Sequence, residues 1–356
     1  MKEFSNVVKK IRGHLQDDTS RFLFDNRLLY ALTGDYDYIN RIIMSLPQRK
    51  ELDAAVQKCL EHVDDLVIWG AGNDLLILLG LYPDFPVRRL CDKDIHKQKS
   101  GWKGIPVMSP EELAGKKEDV YVAVNTSAYQ EEIVEFLRGH GFAEERIINL
   151  GIITDSLYSA QYFDSEVMSP LEGEVFVDGG CYDCSTDKEF IKWCQGKYHK
   201  IYAFEPDGEN YEKCLKKCKE EGIANIELYQ KGLWDCDTEL SFEAGGGQGS
   251  KIGEQDSENG RQDTNVIKIA TAAIDDVVGD EKVTFIKLDV EGAELKALQG
   301  AARTIRTCRP RLAICIYHKP EDVIEVLEYI LSLHDDYKLY IRHYQMSPCE
   351  TIVYAI

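Results

Sequence analysis

From Glu174 to the C-terminus the chain alternates short apolar runs with amphipathic, helix-like segments. EVFVDGG leads into STDKEFIKWCQG, KIYAFEPD into GENYEKCLKKCKEEG, and NIELYQKGLW into a polar, glycine-rich stretch. VTFIKLDV then leads into GAELKALQGAARTIRTC and PRLAICIYH into PEDVIEVLEYILSLH, and YKLYIRHY and ETIVYAI close the chain. Five strand–helix units with a terminal strand pair, and no eighth repeat, predict an open, doubly wound α/β sheet and not a barrel. Such a sheet is mostly parallel here, with an antiparallel closing strand, and binds ligands beyond the carboxyl ends of its strands.

Upstream, the texture differs. Residues 1–60 place Val7, Val8, Ile11 and Leu15, then Leu28, Leu29 and Leu32, at helical separations, which predicts a helical extension packing on a neighbour or on a second copy of the chain. From Leu66, LVIWGAGN reads as a strand running into a glycine turn before the helix-like NDLLILLGLY. VRRLCDKD and DVYVAVNT supply further strands, so residues 61–152 predict a small parallel α/β domain. Residues 153–172 have weak periodicity and predict a linker, leaving 173–356 as the larger domain.

Composition narrows the function classes. At 44% hydrophobic and 29% charged residues, the 356-residue chain can bury cores and is not disordered. A net charge of −20 with no Lys/Arg-rich run argues against a nucleic-acid partner, because a phosphate backbone would meet a repulsive field. The N-terminus lacks an apolar segment of secretory length and no stretch approaches the ~18 apolar residues of a membrane span, so a cytoplasmic chain without a membrane partner is expected. Eleven cysteines, an odd number in such a chain, are expected to stay reduced. Cys181-x-x-Cys184 and Cys214-x-x-x-Cys218 invite a zinc reading, but no second C-x-x-C or H-x-x-x-H completes a set at ribbon or finger spacing, so no metal is expected.

The chemistry concentrates at the predicted strand ends. VFVDGGCYDCST sets Asp178 at a strand terminus, followed by Gly179 and Gly180 and a loop feeding a helix. Glycines permit close backbone approach, and an acid at a strand end can accept hydrogen bonds from an amine. Twenty-seven residues on, YAFEPD puts Glu205 where a ribose diol is gripped in such sheets. The loop lacks G-x-G-x-x-G, and Asp178 and Asp183 repel phosphate, so a nucleoside carrying an amino acid and a positive sulfonium suits it better than a pyrophosphate. FIKLDVEGAELKALQGA sets Lys287, Asp289, Glu291 and Glu294 around the fourth strand end, with Asp289 read as functional and Glu294 as a helix-dipole residue. His318, beside Tyr317 at the fifth strand end, is either a general base or a packing residue. Asp289, Glu291 and His318 also have the donor types of a magnesium or manganese site, a reading not adopted because spacing cannot show convergence.

With VFVDGGCYDCST, YAFEPDGENY, IKLDVEGAELKALQGA, the IYH strand and YIRHY...ETIVYA in view, residues 160–356 resemble the FkbM family of S-adenosylmethionine-dependent methyltransferases, of the Rossmann-like class I fold. The resemblance implies that Asp178 and Gly180 line the methionine side of S-adenosylmethionine, with Gly179, Cys181, Tyr182, Ser185 and Thr186 completing the loop. It implies that Glu205, beside Pro206, binds the ribose hydroxyls, and that Asp289 lies beside the transferable methyl, with His318 and Glu291 as further catalytic candidates. Members make methyl ethers on sugars, polyketides or similar metabolites, so an acceptor hydroxyl on a small molecule or glycan is expected. The family loop has glycine where Cys184 stands; a β-carbon there either narrows the loop or is accommodated by a negative φ. TELSFEAGGGQGSKI resembles the family's hairpin, whose Ser250 would approach the cofactor carboxylate or belong to a surface loop.

VIWGAGNDLL resembles the Rossmann-like module that precedes several sugar-modifying enzymes. Leu75 replaces the third fingerprint glycine, which disfavours NAD and leaves a nucleotide-linked sugar or no ligand, with Gly70, Gly72 and Asp92 as the positions concerned. Two other classes stay open: a binding protein whose methyltransferase domain has lost turnover, and a nicotinamide oxidoreductase built on VIWGAGN.

Overall fold

The computed structural model describes residues 2–243 and 266–356, and the chain divides into two compact units. One comprises residues 1–39, 162–343 and 349–356; the other comprises 40–161 and 344–348. The glycine cluster at 244–250, with Ser250, lies outside the described residues.

In the smaller unit, β1 (Leu66–Trp69), β2 (Leu90–Cys91), β3 (Val107–Met108), β4 (Tyr121–Val124) and β5 (Ile147–Asn149) form a parallel sheet in the order β3-β2-β1-β4-β5. All of β1 is buried, as its unbroken apolar run requires. Leu75 is fully buried in the helix that follows, filling the space a fingerprint glycine would leave open.

In the larger unit, β6 (Glu174–Gly179), β7 (Tyr198–Phe204), β8 (Ile226–Tyr229), β9 (Gly232–Leu233), β10 (Glu239–Glu243), β11 (Val266–Ala272), β12 (Phe285–Leu288), β13 (Arg311–Cys315), β14 (Leu339–His343) and β15 (Thr351–Ala355) follow in order. Seven of them form the main sheet, β14-β15-β13-β12-β6-β7-β8, and β10-β11-β9 form a second. β6, β7, β8, β12 and β13 run parallel, and β15 runs antiparallel to both β13 and β14. The chain winds outward from β6 to β8 and then returns to β12 on the other side of β6. At such a reversal, here between β6 and β12, a doubly wound sheet has its ligand crevice, beyond the carboxyl ends of the strands.

The residues read as helical extension and linker are built into the two units. The helices Lys2–His14 and Asp18–Thr33 are part of the larger unit, packed on the helix Asp322–Leu333 and on β14. Their apolar stripe, with Ile11, Leu15, Leu23 and Phe24 buried, finds its cover within the same chain. Ser20 and Asp17 secure the contact, accepting from the Ile341 N–H and the Arg342 guanidinium. The boundary between the units falls within 153–172, after Gln161: Gly151–Tyr158 is a helix of the smaller unit, and Tyr162, Phe163 and Met168 are buried in the larger one. Phe163 joins Phe176, Phe190, Trp193 and Phe285 in an aromatic cluster whose tightest pair, Phe176 and Phe190, stacks at 4.3 Å. The periodicity of that segment is weak because its buried residues anchor an irregular strap, which has no repeat to detect.

Candidate functional site

The turn after β6 is shaped by close packing. Gly180 has φ +77°, and a Cβ there would lie 1.9 Å from the Asp289 carbonyl oxygen. A Cβ on Gly179 would meet Leu233 and Leu288 side chains at 2.7 Å. The Asp289 N–H also donates to the Gly179 carbonyl at 3.0 Å, so the ends of β6 and β12 are joined backbone to backbone.

Beneath that joint lies a buried ion pair. Strand register sets Lys287 beside Asp178, and its Nζ donates to Asp178 Oδ1 at 2.9 Å and to the carbonyls of Gly179 and Gly180 at 3.1 and 2.7 Å. Both side chains are almost fully enclosed. Burial disfavours the ammonium, but Asp178 and Asp289 outweigh it and hold Lys287 above the usual lysine value. Asp178 is therefore a partner of Lys287 that holds the glycine turn from below, while its other oxygen, Oδ2, has no hydrogen-bond partner among the described residues.

Glu205, just past β7, is buried, and each of its carboxylate oxygens accepts one backbone N–H, from Asp207 at 2.9 Å and Tyr182 at 3.0 Å. Burial pushes its pKa up to about 7, against the pull of those two donors. Pro206 follows it, and Asp207 caps the helix Gly208–Glu221 through the N–H groups of Glu209 and Asn210. Tyr182, whose N–H holds Glu205, is itself exposed.

Asp289 is the hub of the other crevice wall. Tyr162 donates to its Oδ2 at 2.7 Å, Tyr317 to its Oδ1 at 3.3 Å, and His318 Nε2 lies 3.5 Å from Oδ1. Burial opposes its charge, yet Lys287 and His318 prevail and keep its pKa below the ordinary carboxylate value. On the far side of the imidazole, Nδ1 lies 2.9 Å from Glu294 Oε1, while Glu291 Oε2 is 3.4 Å from Nε2. Burial alone would neutralise His318, but Glu294, Asp289 and Glu291 together raise its pKa to about 9. The ring is thus an imidazolium at neutral pH, bridging acids on two sides.

Glu294 is fully buried and accepts the Val290 N–H at 2.9 Å, so it orients the turn and the histidine and does more than favour a helix dipole. Glu291 and Gly292, with φ +54° and +93°, make that turn. No sequence motif marks Tyr162: it sits in the weakly periodic strap, buried and at φ +66°, and its hydroxyl reaches Asp289. Asp289, Glu294 and His318 each bring one ligand-type atom within 4.8 Å of the others, with Glu294 in the place the spacing suggested for Glu291.

The loop after Gly180 departs from expectation at Cys184, which has φ +60° and is fully buried; the negative φ that would have accommodated it is not adopted. Cys181 is likewise buried, while Ser185 and Thr186 begin the helix Ser185–Trp193. Asp183 pairs with Lys217 at 2.8 Å.

In the smaller unit, the turn after β1 holds Gly70 at φ +120°, where a Cβ would lie 2.5 Å from the Asn125 carbonyl. Asp92 accepts from the Ala71 N–H at 3.0 Å and from Lys97 at 2.9 Å. A pocket there is lined by Gly70, Gly72, Asp92, Lys97, Asn125 and Tyr129 among others. Among the described residues no helix is long and apolar enough to cross a membrane.

Residues 181–344 match the family described as the methyltransferase FkbM domain. Among solved structures, the chain is similar to an FkbM methyltransferase from Methylobacillus flagellatus, at 20% identity over 87% of this chain and 99% of that one, with a TM-score of 0.49. It is also similar to a putative methyltransferase from Streptococcus mutans in complex with SAH, at 11% identity over 52% of this chain and 90% of that one (TM-score 0.33). Fibrillarin from Aeropyrum pernix, with natively bound S-adenosyl-L-methionine, is similar at 12% identity over 52% and 67% of the two chains (TM-score 0.33). A comparison with curated proteins finds no match.

Proposed function

We infer that this chain, which carries an FkbM methyltransferase domain over residues 181–344, moves a methyl group from S-adenosylmethionine to a hydroxyl oxygen of a sugar, glycan or small metabolite. The observation that carries this reading is the pairing of two acids across the glycine turn after β6. Glu205 has both oxygens anchored by backbone N–H groups, leaving lone pairs for a diol, and Asp289 is kept ionised where a sulfonium would sit. The turn between them is drawn so close to the Asp289 backbone that a Cβ at Gly180 would strike it. No basic cluster is present among these groups to favour a pyrophosphate instead.

When bound, S-adenosylmethionine supplies an electrophilic methyl on a good leaving group, so most of the acceleration required of the protein is positioning and exclusion of water. Tyr162 and Tyr317 fix the rotamer of Asp289 by donating to its two oxygens. His318 carries a proton at neutral pH and serves as a base only after losing it. A cation arriving beside Asp289 favours that loss, since like charges raise the cost of the imidazolium. The acceptor enters beside His318, where Arg27, Tyr30, Tyr317, Lys319 and Pro320 line a pocket of the same unit.

Calorimetry tests the cofactor assignment. Glu205→Ala should weaken S-adenosylmethionine binding by about 1–3 kcal/mol if a buried charged hydrogen bond is lost, and unchanged affinity would remove Glu205 from the site. A chain that binds the cofactor tightly yet yields no methylated product from any hydroxyl acceptor would be a binding protein and not an enzyme.

A further inference from the structure

Four cysteines face one another in two pairs between the turn after β6 and the helix Gly208–Glu221. The Sγ atoms of Cys181 and Cys214 are 3.7 Å apart, and those of Cys184 and Cys218 are 3.8 Å apart. The Sγ atoms of Cys181, Cys184 and Cys214 all lie within 4.8 Å of one another. Around a tetrahedral ion with Zn–S bonds of ~2.3 Å, any two sulfurs sit about 3.8 Å apart. Two of the contacts are therefore already at the length of a tetrahedral edge.

The local backbone agrees. Cys181 and Cys184 flank a tight turn closed by the Cys184 N–H on the Cys181 carbonyl at 2.8 Å. Within it, Tyr182 and Cys184 hold φ +54° and +60°, a conformation that costs a non-glycine residue roughly 1–2 kcal/mol. The second pair lies one helical turn apart, which puts both sulfurs on one face. All four are free thiols; Cys181, Cys184 and Cys214 are buried and Cys218 is half-buried. Against Cys184 lies the fully buried side chain of Asp187.

We propose that Cys181, Cys184, Cys214 and Cys218 hold a structural zinc ion that clamps the turn after β6 to the helix following Glu205. Four soft donors with no place left for water make a closed site, which is structural and not catalytic. Loading is an acid–base step without redox change: four S–H bonds give up protons to solvent as four Zn–S bonds form. The clamp spans the two segments that carry the Tyr182 N–H and Glu205, so it preorganises the crevice wall without touching the reacting atoms.

The full chain, purified with a reductant and without chelator, should contain about one zinc per chain by elemental analysis, as a single four-ligand site requires. Mercurial titration should release that zinc to a colorimetric chelator. Replacing zinc with Co²⁺ should give thiolate-to-cobalt charge-transfer bands and the intense visible bands of tetrahedral cobalt. Cys214→Ser and Cys218→Ser should each lower zinc retention against a competing chelator, while Cys308→Ser, away from the cluster, should not. Zinc-free protein with reactive thiols at these positions would overturn the proposal. So would an intact mass showing disulfides among the four, or a cobalt spectrum without thiolate charge transfer. The wild-type metal content and cobalt spectrum decide the matter even if a serine variant fails to fold, and neither depends on the chain binding S-adenosylmethionine.

Discussion

The sharpest quantitative expectation concerns Gly180→Ala, because the structure separates its two costs. The first is conformational: φ +77° is left-handed, which penalises an L-side chain by roughly 1–2 kcal/mol. The second is steric: the new Cβ would stand 1.9 Å from the Asp289 carbonyl oxygen, and relieving that overlap in a packed region costs about 1–3 kcal/mol more. Gly222→Ala isolates the first cost, since Gly222 caps the helix Gly208–Glu221 at φ +64° with nothing within 4 Å of a built Cβ. Urea denaturation of both variants should therefore show Gly222→Ala losing about 1–2 kcal/mol and Gly180→Ala losing about 2–5 kcal/mol. Because the collision is with the backbone of Asp289, Gly180→Ala should also weaken S-adenosylmethionine binding, while Gly222→Ala should leave it near wild type. Equal stability losses in the two variants would refute the claim that β6 and β12 approach this closely, and the crevice built on that approach would fall with it.

Lys287→Met should destabilise the chain by about 3–5 kcal/mol, as breaking a buried pair strands a charge, and adding Asp178→Asn should restore much of the loss; a single variant as stable as wild type would show the pair to be open to water. The His318 pKa, raised from 6.5 to about 9, means its carboxylate contacts stabilise the fold fully below about pH 6.5 and lose that contribution as pH rises through about 9. The contribution is on the order of 3 kcal/mol, and it should vanish from the pH–stability curve of His318→Gln; a histidine NMR titration near 6.5 would contradict it. If His318 is the base, kcat/KM should rise with pH toward that same value, and a flat profile would leave the ring a positioning role. Cofactor affinity should fall as pH drops through about 7, where Glu205 takes up a proton, and Glu205→Gln should abolish that dependence.

Much of this was legible in the order of residues. Alternating apolar runs and amphipathic segments specify strands and helices because burial demands one periodicity or the other. That alone implied two parallel α/β sheets, the Asp178-Gly179-Gly180 turn at a strand end, and Glu205 and Asp289 at the ends of two further strands. Tertiary structure decided what lies between elements. Lys287 meets Asp178 across 109 residues through the register of β12 on β6, which no local pattern encodes. Tyr162 reaches Asp289 from a strap without periodicity, and His318 acquires its charge from three acids converging in space. The two cysteine pairs likewise lie on separate elements, a turn and a helix, and only the packing of that helix beside the turn sets Cys214 against Cys181 and Cys218 against Cys184. Periodicity reports which face of an element is buried, whereas distances between elements are set by the close packing of the folded chain.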